Sequence, residues 1–316
     1  MHIPTRHGVG PTGVFLPAGP WPTVLDFLVE RMPHISREAW TARLHSQSVL
    51  NAEGQPVMLT QPYTPHTRLY YYRHIEDEPQ LPEQASILFE DEHLLVADKP
   101  HFMTVTPAGR YVQQSLLVQL KNLTGCDDLA PLHRIDRETA GLVLLGKRPA
   151  DRDAYHALFR QRHIHKTYHA VAPFRAELTW PRTHTSRLVA GEPFFRMQEV
   201  PGQPNSETRI SLLRTDGSRA LYQLEPVSGK RHQLRVHMLA LGLPLEGDLF
   251  YPEVLRRQDA PEDFSQALQL LAQRIAFTDP LTGAERVFES QRSLRFFGEL
   301  STVPSVECLA CGGRIV

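Results

Sequence analysis

The chain is short of cysteine, short of lysine and without an excess of positive charge. Its three cysteines, Cys126, Cys308 and Cys311, are odd in number and too few for a disulfide framework. Cys308 and Cys311 form one CxxC pair near the C-terminus. A structural zinc site takes four ligands, usually from two such pairs; with no second pair, reduced thiols and no metal are expected. Lys99, Lys121, Lys147, Lys166 and Lys230 are the only lysines, so arginine carries most of the positive charge. Arginine suits bidentate phosphate contacts and stacking on bases. Against 34 Lys+Arg stand 35 Asp+Glu, a net charge of −1, so any nucleic-acid surface is expected to be a local patch. No apolar run approaches the roughly 18 residues of a membrane span. Residues 1–22, broken by Pro and Gly, have no apolar signal core. A cytoplasmic protein with no membrane partner is expected.

What is present is ordinary globular composition, 41% hydrophobic and 22% charged, in a chain long enough for two unequal domains. Residues 1–22 read as an irregular arm. Residues 24–32 place Val24, Leu28 and Met32 on one helical face. Ser36 is a candidate N-cap for a second helix over 37–46. Short strands are predicted at 48–51, 56–59 and 67–73, closing a small module over 23–80. The acidic, proline-punctuated 76–83 reads as a linker. Beyond it strands are predicted at 87–90, 94–97, 141–145, 167–172, 207–213, 219–224, 273–278 and 285–288. Asp216-Gly217 marks a hairpin, and helices are predicted over 115–123, 149–162 and 233–241. The pattern predicts an α+β domain with a mainly antiparallel mixed sheet over 81–303 and a tail over 304–316.

Three clusters carry candidate chemistry. Asp136 sits among His133, Arg134 and Arg137 just before an apolar strand. Neighbouring positive charge favours an ionised carboxylate, as a nucleophile or base needs; a surface salt bridge has the same local pattern. Lys230, Arg231, His232, Arg235 and His237 gather where a Gly-containing turn enters a helix, which makes either an anion-binding surface or a solvated basic helix end. His232 and His237 lie five apart, a spacing that does not set two metal ligands on one helical face. Lys166 and Tyr168 lead into a strand, where Tyr168 offers a ring for stacking on an RNA base or half-buried packing.

The segment Leu132-His-Arg-Ile-Asp-Arg-Glu-Thr-Ala-Gly-Leu142 closely resembles the signature of the RluA-type RNA pseudouridine synthases. Leu95-Val-Ala-Asp-Lys-Pro100, Lys166-Thr-Tyr168 and Gly229-Lys-Arg-His-Gln-Leu-Arg-Val-His237 followed by Gly242-Leu-Pro-Leu-Glu-Gly-Asp248 resemble the family's other motifs, in order, between about residues 87 and 290. Ile135, Ala140 and the Lys230-Arg231 pair depart from its usual residues without removing a catalytic group. The resemblance implies isomerisation of uridine to pseudouridine in RNA, with no redox change and no cofactor. It implies Asp136 as the carboxylate acting on the sugar, Arg235 as its ion-pair partner and Tyr168 as the ring stacked on uracil. Arg134 would fill the space left by a flipped-out base. Arg137, Lys166, Lys230, Arg231 and His232 complete the expected RNA-binding set. More faintly, 23–80 resembles the S4-type RNA-binding fold, through Ser36-Arg37, Val49-Leu-Asn51 and the closing strand. A monomer acting on structured RNA is expected, ribosomal RNA ahead of transfer RNA. The principal rival is a non-catalytic RNA-binding or ribosome-assembly protein on the same scaffold. A hydrolase using Asp136 with Glu246 or Asp248 as partner carboxylate is the other.

Overall fold

The computed structural model describes residues 3–75, 77–255 and 261–294; Cys308 and Cys311, and the tail expected over 304–316, lie outside them. In chain order the elements are β1 (Thr12–Phe15), α1 (Val24–Arg31), α2 (Arg37–His45), β2 (Val49–Asn51), β3 (Arg68–Tyr71), β4 (Ser86–Glu90), β5 (Leu94–Lys99), α3 (Leu116–Thr124), β6 (Ala130–Pro131) and β7 (Ala140–Gly146). A 3-10 turn (Pro149–Asp151) then leads into α4 (Arg152–Arg160), followed by β8 (His165–Pro173), β9 (Arg182–Ala190), β10 (Met197–Val200), β11 (Ser206–Thr215), β12 (Arg219–Pro226), α5 (Gln233–Ala240), β13 (Leu270–Thr278) and β14 (Glu285–Glu289). Among the described residues no helix is long and apolar enough to cross a membrane.

The chain divides into two compact units, Met1–Leu81 with Thr104–Pro131, and Pro82–Met103 with the chain from Leu132 onward. In the first, α1 and α2 fall in sequence between β1 and the pair β2 and β3, and the three strands form a sheet in the order β1-β3-β2. Thr23 and Ser36 cap the two helices by accepting from Asp26 N–H and Ala39 N–H. Phe27, Leu28, Trp40, Leu44, Val49 and Leu69 close the core. The stretch 1–22, expected to be irregular, contributes β1, whose residues 12–15 pair with β3. The strand expected at 56–59 is reduced to one bridge from Pro56 to Leu50 and a bond from Val57 N–H to Val49 O at 2.9 Å, after which the chain turns, Gln61 N–H donating to Met58 O at 3.0 Å. Residues 104–131 return to this unit. Glu78 accepts from the backbone N–H groups of Val112, Gln113 and Gln114, and Val9, Val112 and Val118 pack with Ile75.

The second unit is built on a long sheet whose strands run β10-β9-β11-β12-β8-β13-β7-β5-β4, with β14 on β13. Its pairings are antiparallel except β13 with β7, so the fold is α+β with a mainly antiparallel mixed sheet. Strands β5 and β7 are buried along their full length. Helix α4 packs Tyr155 and Leu158 against Leu94, Leu142, Leu144 and Ile275. Helix α5 packs Leu234 and Met238 against Ala170, Ile210, Tyr222 and Leu224. At the start of β7, Gly141 has φ +110, and a Cβ there would stand 2.3 Å from the carbonyl oxygen of Ala272 in β13. Only glycine accepts both that backbone conformation and that approach. Strands β9 and β10 carry few buried side chains, so they lack the apolar periodicity by which strands are read from sequence.

Candidate active site

Asp136 lies on the turn between Leu132 and β7, where Thr139 N–H donates to its carbonyl at 3.2 Å. The turn is held from below by His133, whose Nε2 accepts from Leu144 N–H in β7 at 3.1 Å while its ring packs on Phe159. Burial pushes His133 down to about 3, with the Lys166 charge adding to the effect, so the ring is a neutral acceptor. Lys99, at the end of β5, closes the other side by donating to the carbonyls of Pro100, Met103 and Arg137 at 2.9, 2.8 and 3.2 Å. Burial pushes its ammonium down to about 7, against the pull of Glu138 and Asp136.

The cation that reaches Asp136 is not one of its sequence neighbours. Arg134 is exposed, and Arg137 turns away to Glu138 and Glu262 at 3.2 and 2.6 Å. Instead Arg235, from the first turn of α5, places Nη1 3.4 Å from Asp136 Oδ2. Its side chain is 1% exposed, whereas that of Asp136 is 27% exposed, so the carboxylate is open to a substrate and its partner is not. Arg235 is fixed by a stronger contact with Asp248, Nε to Oδ2 at 2.8 Å and Nη2 to Oδ1 at 2.6 Å. Asp248 also accepts from the N–H groups of Phe250 and Tyr251. The guanidinium lies over both of those rings, 5.1 and 5.2 Å from their centroids. Burial works against its charge, but Asp248 first and Asp136 next hold the Arg235 pKa above its ordinary value. Asp248 is thus committed to Arg235 as a structural carboxylate.

His232, the residue before α5, sits in the left-handed region at φ 52. Its Nε2 is 3.9 Å from Asp136 Oδ2 and its Nδ1 is 3.0 Å from Tyr251 Oη. Burial lowers its pKa, opposed by Asp136. Tyr168 lies in β8 between β12 and β13, its Cα opposite Leu224 and Ala272. Burial first, then the charge of Asp136, raises its phenol pKa, so it is a neutral hydroxyl close enough to feel that carboxylate. Lys166, two residues earlier, has its Nζ near Gly229, and burial lowers its pKa. Lys230 is exposed, and Arg231 is exposed while donating to the carbonyls of Phe194 and Arg196 at 2.9 and 3.0 Å. Gln233 locks this turn, accepting from Ser228 Oγ and Lys230 N–H and donating to Glu207 O and Thr208 Oγ1.

The fold therefore gathers Asp136, Arg235, Tyr168 and His232, with Lys230 on the adjoining turn and Lys166 in β8 reaching toward that turn at Gly229. It leaves Arg134 at the surface and Arg137 in an ion pair. Two groups had no role assigned from sequence: Lys99 and, as anchor of Arg235, Asp248. Both stand inside motif segments, but nothing in sequence spacing shows what a buried charge will face. His184, Glu199 and His237 also bring one ligand atom each to within 4.8 Å of one another. The ring nitrogens of His237 already meet Thr208 Oγ1 at 2.9 Å and Ser206 Oγ at 2.9 Å. His184 is likewise bonded to Glu199 at 2.8 Å, so hydrogen bonding accounts for this group.

This arrangement can present an open carboxylate beside a buried guanidinium and a neutral phenol, which suits chemistry at a sugar carbon bearing a planar base. The profile of the RNA pseudouridylate synthase family matches residues 93–240. An uncharacterized RNA pseudouridine synthase of Synechocystis sp. is 31% identical over 234 residues, covering 72% of this chain and 79% of that protein. The dual-specificity RNA pseudouridine synthase RluA of Haemophilus influenzae is 30% identical over 223 residues, covering 69% of this chain and 97% of that one. In structure the chain is similar to human RNA pseudouridylate synthase domain containing 1, with TM-score 0.54 and 24% identity over 68% of this chain and 86% of that one; this likeness shows the fold. The chain belongs to the RluA-type family of RNA pseudouridine synthases, isomerases that act on RNA.

Proposed function

We propose that Asp136 is the catalytic carboxylate of this enzyme, acting on the ribose of a uridine held in structured RNA. The observation that carries the reading is the open Asp136 carboxylate 3.4 Å from a fully enclosed Arg235. A buried positive partner gives that carboxylate a fixed counter-charge inside a site from which RNA displaces water. The N1–C1′ bond breaks, the freed uracil turns over, and C5 bonds to C1′; the C5 proton leaves and N1 takes up a proton, so the product is an isomer of the substrate. Asp136 either attacks the sugar or abstracts a proton from it. Tyr168, neutral and beside that charge, stacks on the uracil. Arg134, exposed on the same turn, enters the duplex space vacated by the flipped nucleotide; Lys166, Lys230, Arg231 and His232 contact the phosphates and neighbouring bases.

Ribosomal RNA ahead of transfer RNA is the proposed substrate, read by the first unit as an S4-like RNA-binding module. Two short helices followed by β2 and β3 in one small sheet support that reading. The relative from Haemophilus influenzae is named dual-specificity, which supports testing both RNAs. The purified chain is expected to convert uridine in deproteinised ribosomal or transfer RNA, and Asp136→Asn to abolish conversion while the circular dichroism spectrum is retained. Full turnover by Asp136→Asn sinks the assignment.

A further inference from the structure

Phe194 is 79% exposed, more than any other large apolar side chain among the described residues. A single exposed phenylalanine is unremarkable by itself. This one stands at the tip of a built feature. The connection from β9 to β10 is closed by Gly191 N–H to Arg196 O at 3.1 Å and Arg196 N–H to Pro193 O at 2.8 Å. Arg231 clamps it by donating to the carbonyls of Phe194 and Arg196. Arg196 anchors its far end, donating to Pro252 O at 2.7 Å and lying over the Tyr251 ring. The loop is thus held by backbone and arginine contacts, and the Phe194 ring does not stabilise it by burial.

From this tip a line of rings leads to the catalytic carboxylate. Phe194 meets Phe195 edge-on at 5.6 Å, Phe195 meets Phe250 at 5.1 Å, and Phe250 stacks on His232 at 6.2 Å. His232 in turn is 3.9 Å from Asp136. Exposed Lys230 and Arg231 sit on the turn beside it, cations suited to a phosphate backbone. Turning a uridine out of its stack strips its neighbours of a stacking partner. An exposed ring joined to the site by that line of aromatics can repay part of that loss, since every base has a π face.

We infer that Phe194 is a stacking platform for an unpaired RNA base flanking the target uridine. The inference rests on the proposed RNA reading, but its test requires no turnover. Full-length chain is titrated into a short fluorescein-labelled single-stranded RNA, and anisotropy gives the Kd. Phe194→Ala is expected to weaken binding about tenfold. Phe194→Tyr restores it, while Phe194→Leu, apolar but without a π face, does not. The fluorescence of the Phe194→Trp variant is quenched by the RNA and not by an abasic oligomer of equal length. Unchanged affinity in Phe194→Ala overturns the inference. Rescue by Phe194→Leu overturns it too, since an apolar contact without a π face would then suffice. Activity of Asp136→Asn leaves these binding ratios untouched, so the two readings fail separately.

Discussion

At the scale of single residues the site depends on buried charges that must stay paired. Removing one partner of the Arg235–Asp248 pair leaves the other charged, enclosed and uncompensated. Asp248→Asn is expected to cost about 3–5 kcal/mol of stability by chemical denaturation, with turnover lost as Arg235 shifts from Asp136. The double variant Arg235→Met with Asp248→Asn should be less destabilised than the sum of the two single changes; strict additivity would show that the pair is not coupled. His133 supplies the pH dependence. Its pKa falls from the ordinary 6.5 to about 3 on folding, so between those values the unfolded chain binds the extra proton. Stability is therefore lost as pH falls from about 6.5 toward 3, by at most about 1.4 kcal/mol per pH unit for one group. Melting curves across that window should show His133→Gln losing this part of the slope.

At the scale of elements, the parallel contact of β7 with β13 depends on a position without a Cβ. Gly141→Ala sets a methyl group 2.3 Å from Ala272 O at φ +110. It is expected to cost about 2–4 kcal/mol, read as a fall in denaturation midpoint with unchanged m-value. Most elements of the second unit are legible in sequence because they are apolar in a regular period: β5, β7, β8, β12 and α5 fall where the pattern places them. The missed ones, β9 and β10, are polar along most of their length. They form by hydrogen-bonding to β11 and to each other, which no local pattern records. The loop carrying Phe194 was missed with them. The helix expected over 149–162 begins instead as a 3-10 turn at Pro149–Asp151 and ends at Arg160.

At the scale of the whole molecule, the order of the chain is not the order of its compact units. Residues 104–131 belong with the first 81, through Glu78 beneath 112–114, Arg73 donating to the carbonyls of Pro107 and Gly109, and the Val9, Val112 and Val118 cluster. A truncation beginning at residue 81 strips 104–131 of those partners and exposes its apolar side chains. Such a fragment is expected to melt lower than the full chain and to aggregate on size-exclusion chromatography. A monomeric fragment melting with the full chain would show that 104–131 does not need the N-terminal residues.

The sequence by itself determined the reaction class and the α+β architecture, and it brought forward Asp136, Tyr168 and Arg235 as candidates. Motif order and apolar periodicity are one-dimensional properties, and those inferences need no more. Only the tertiary structure decided which charges meet. Asp136 is flanked in sequence by Arg134 and Arg137, yet its partner is Arg235, 99 residues away. Arg137 is drawn instead to Glu262, and Arg235 is gripped by Asp248. Electrostatic attraction depends on distance and on exclusion of water, and both are fixed by how strands and helices pack.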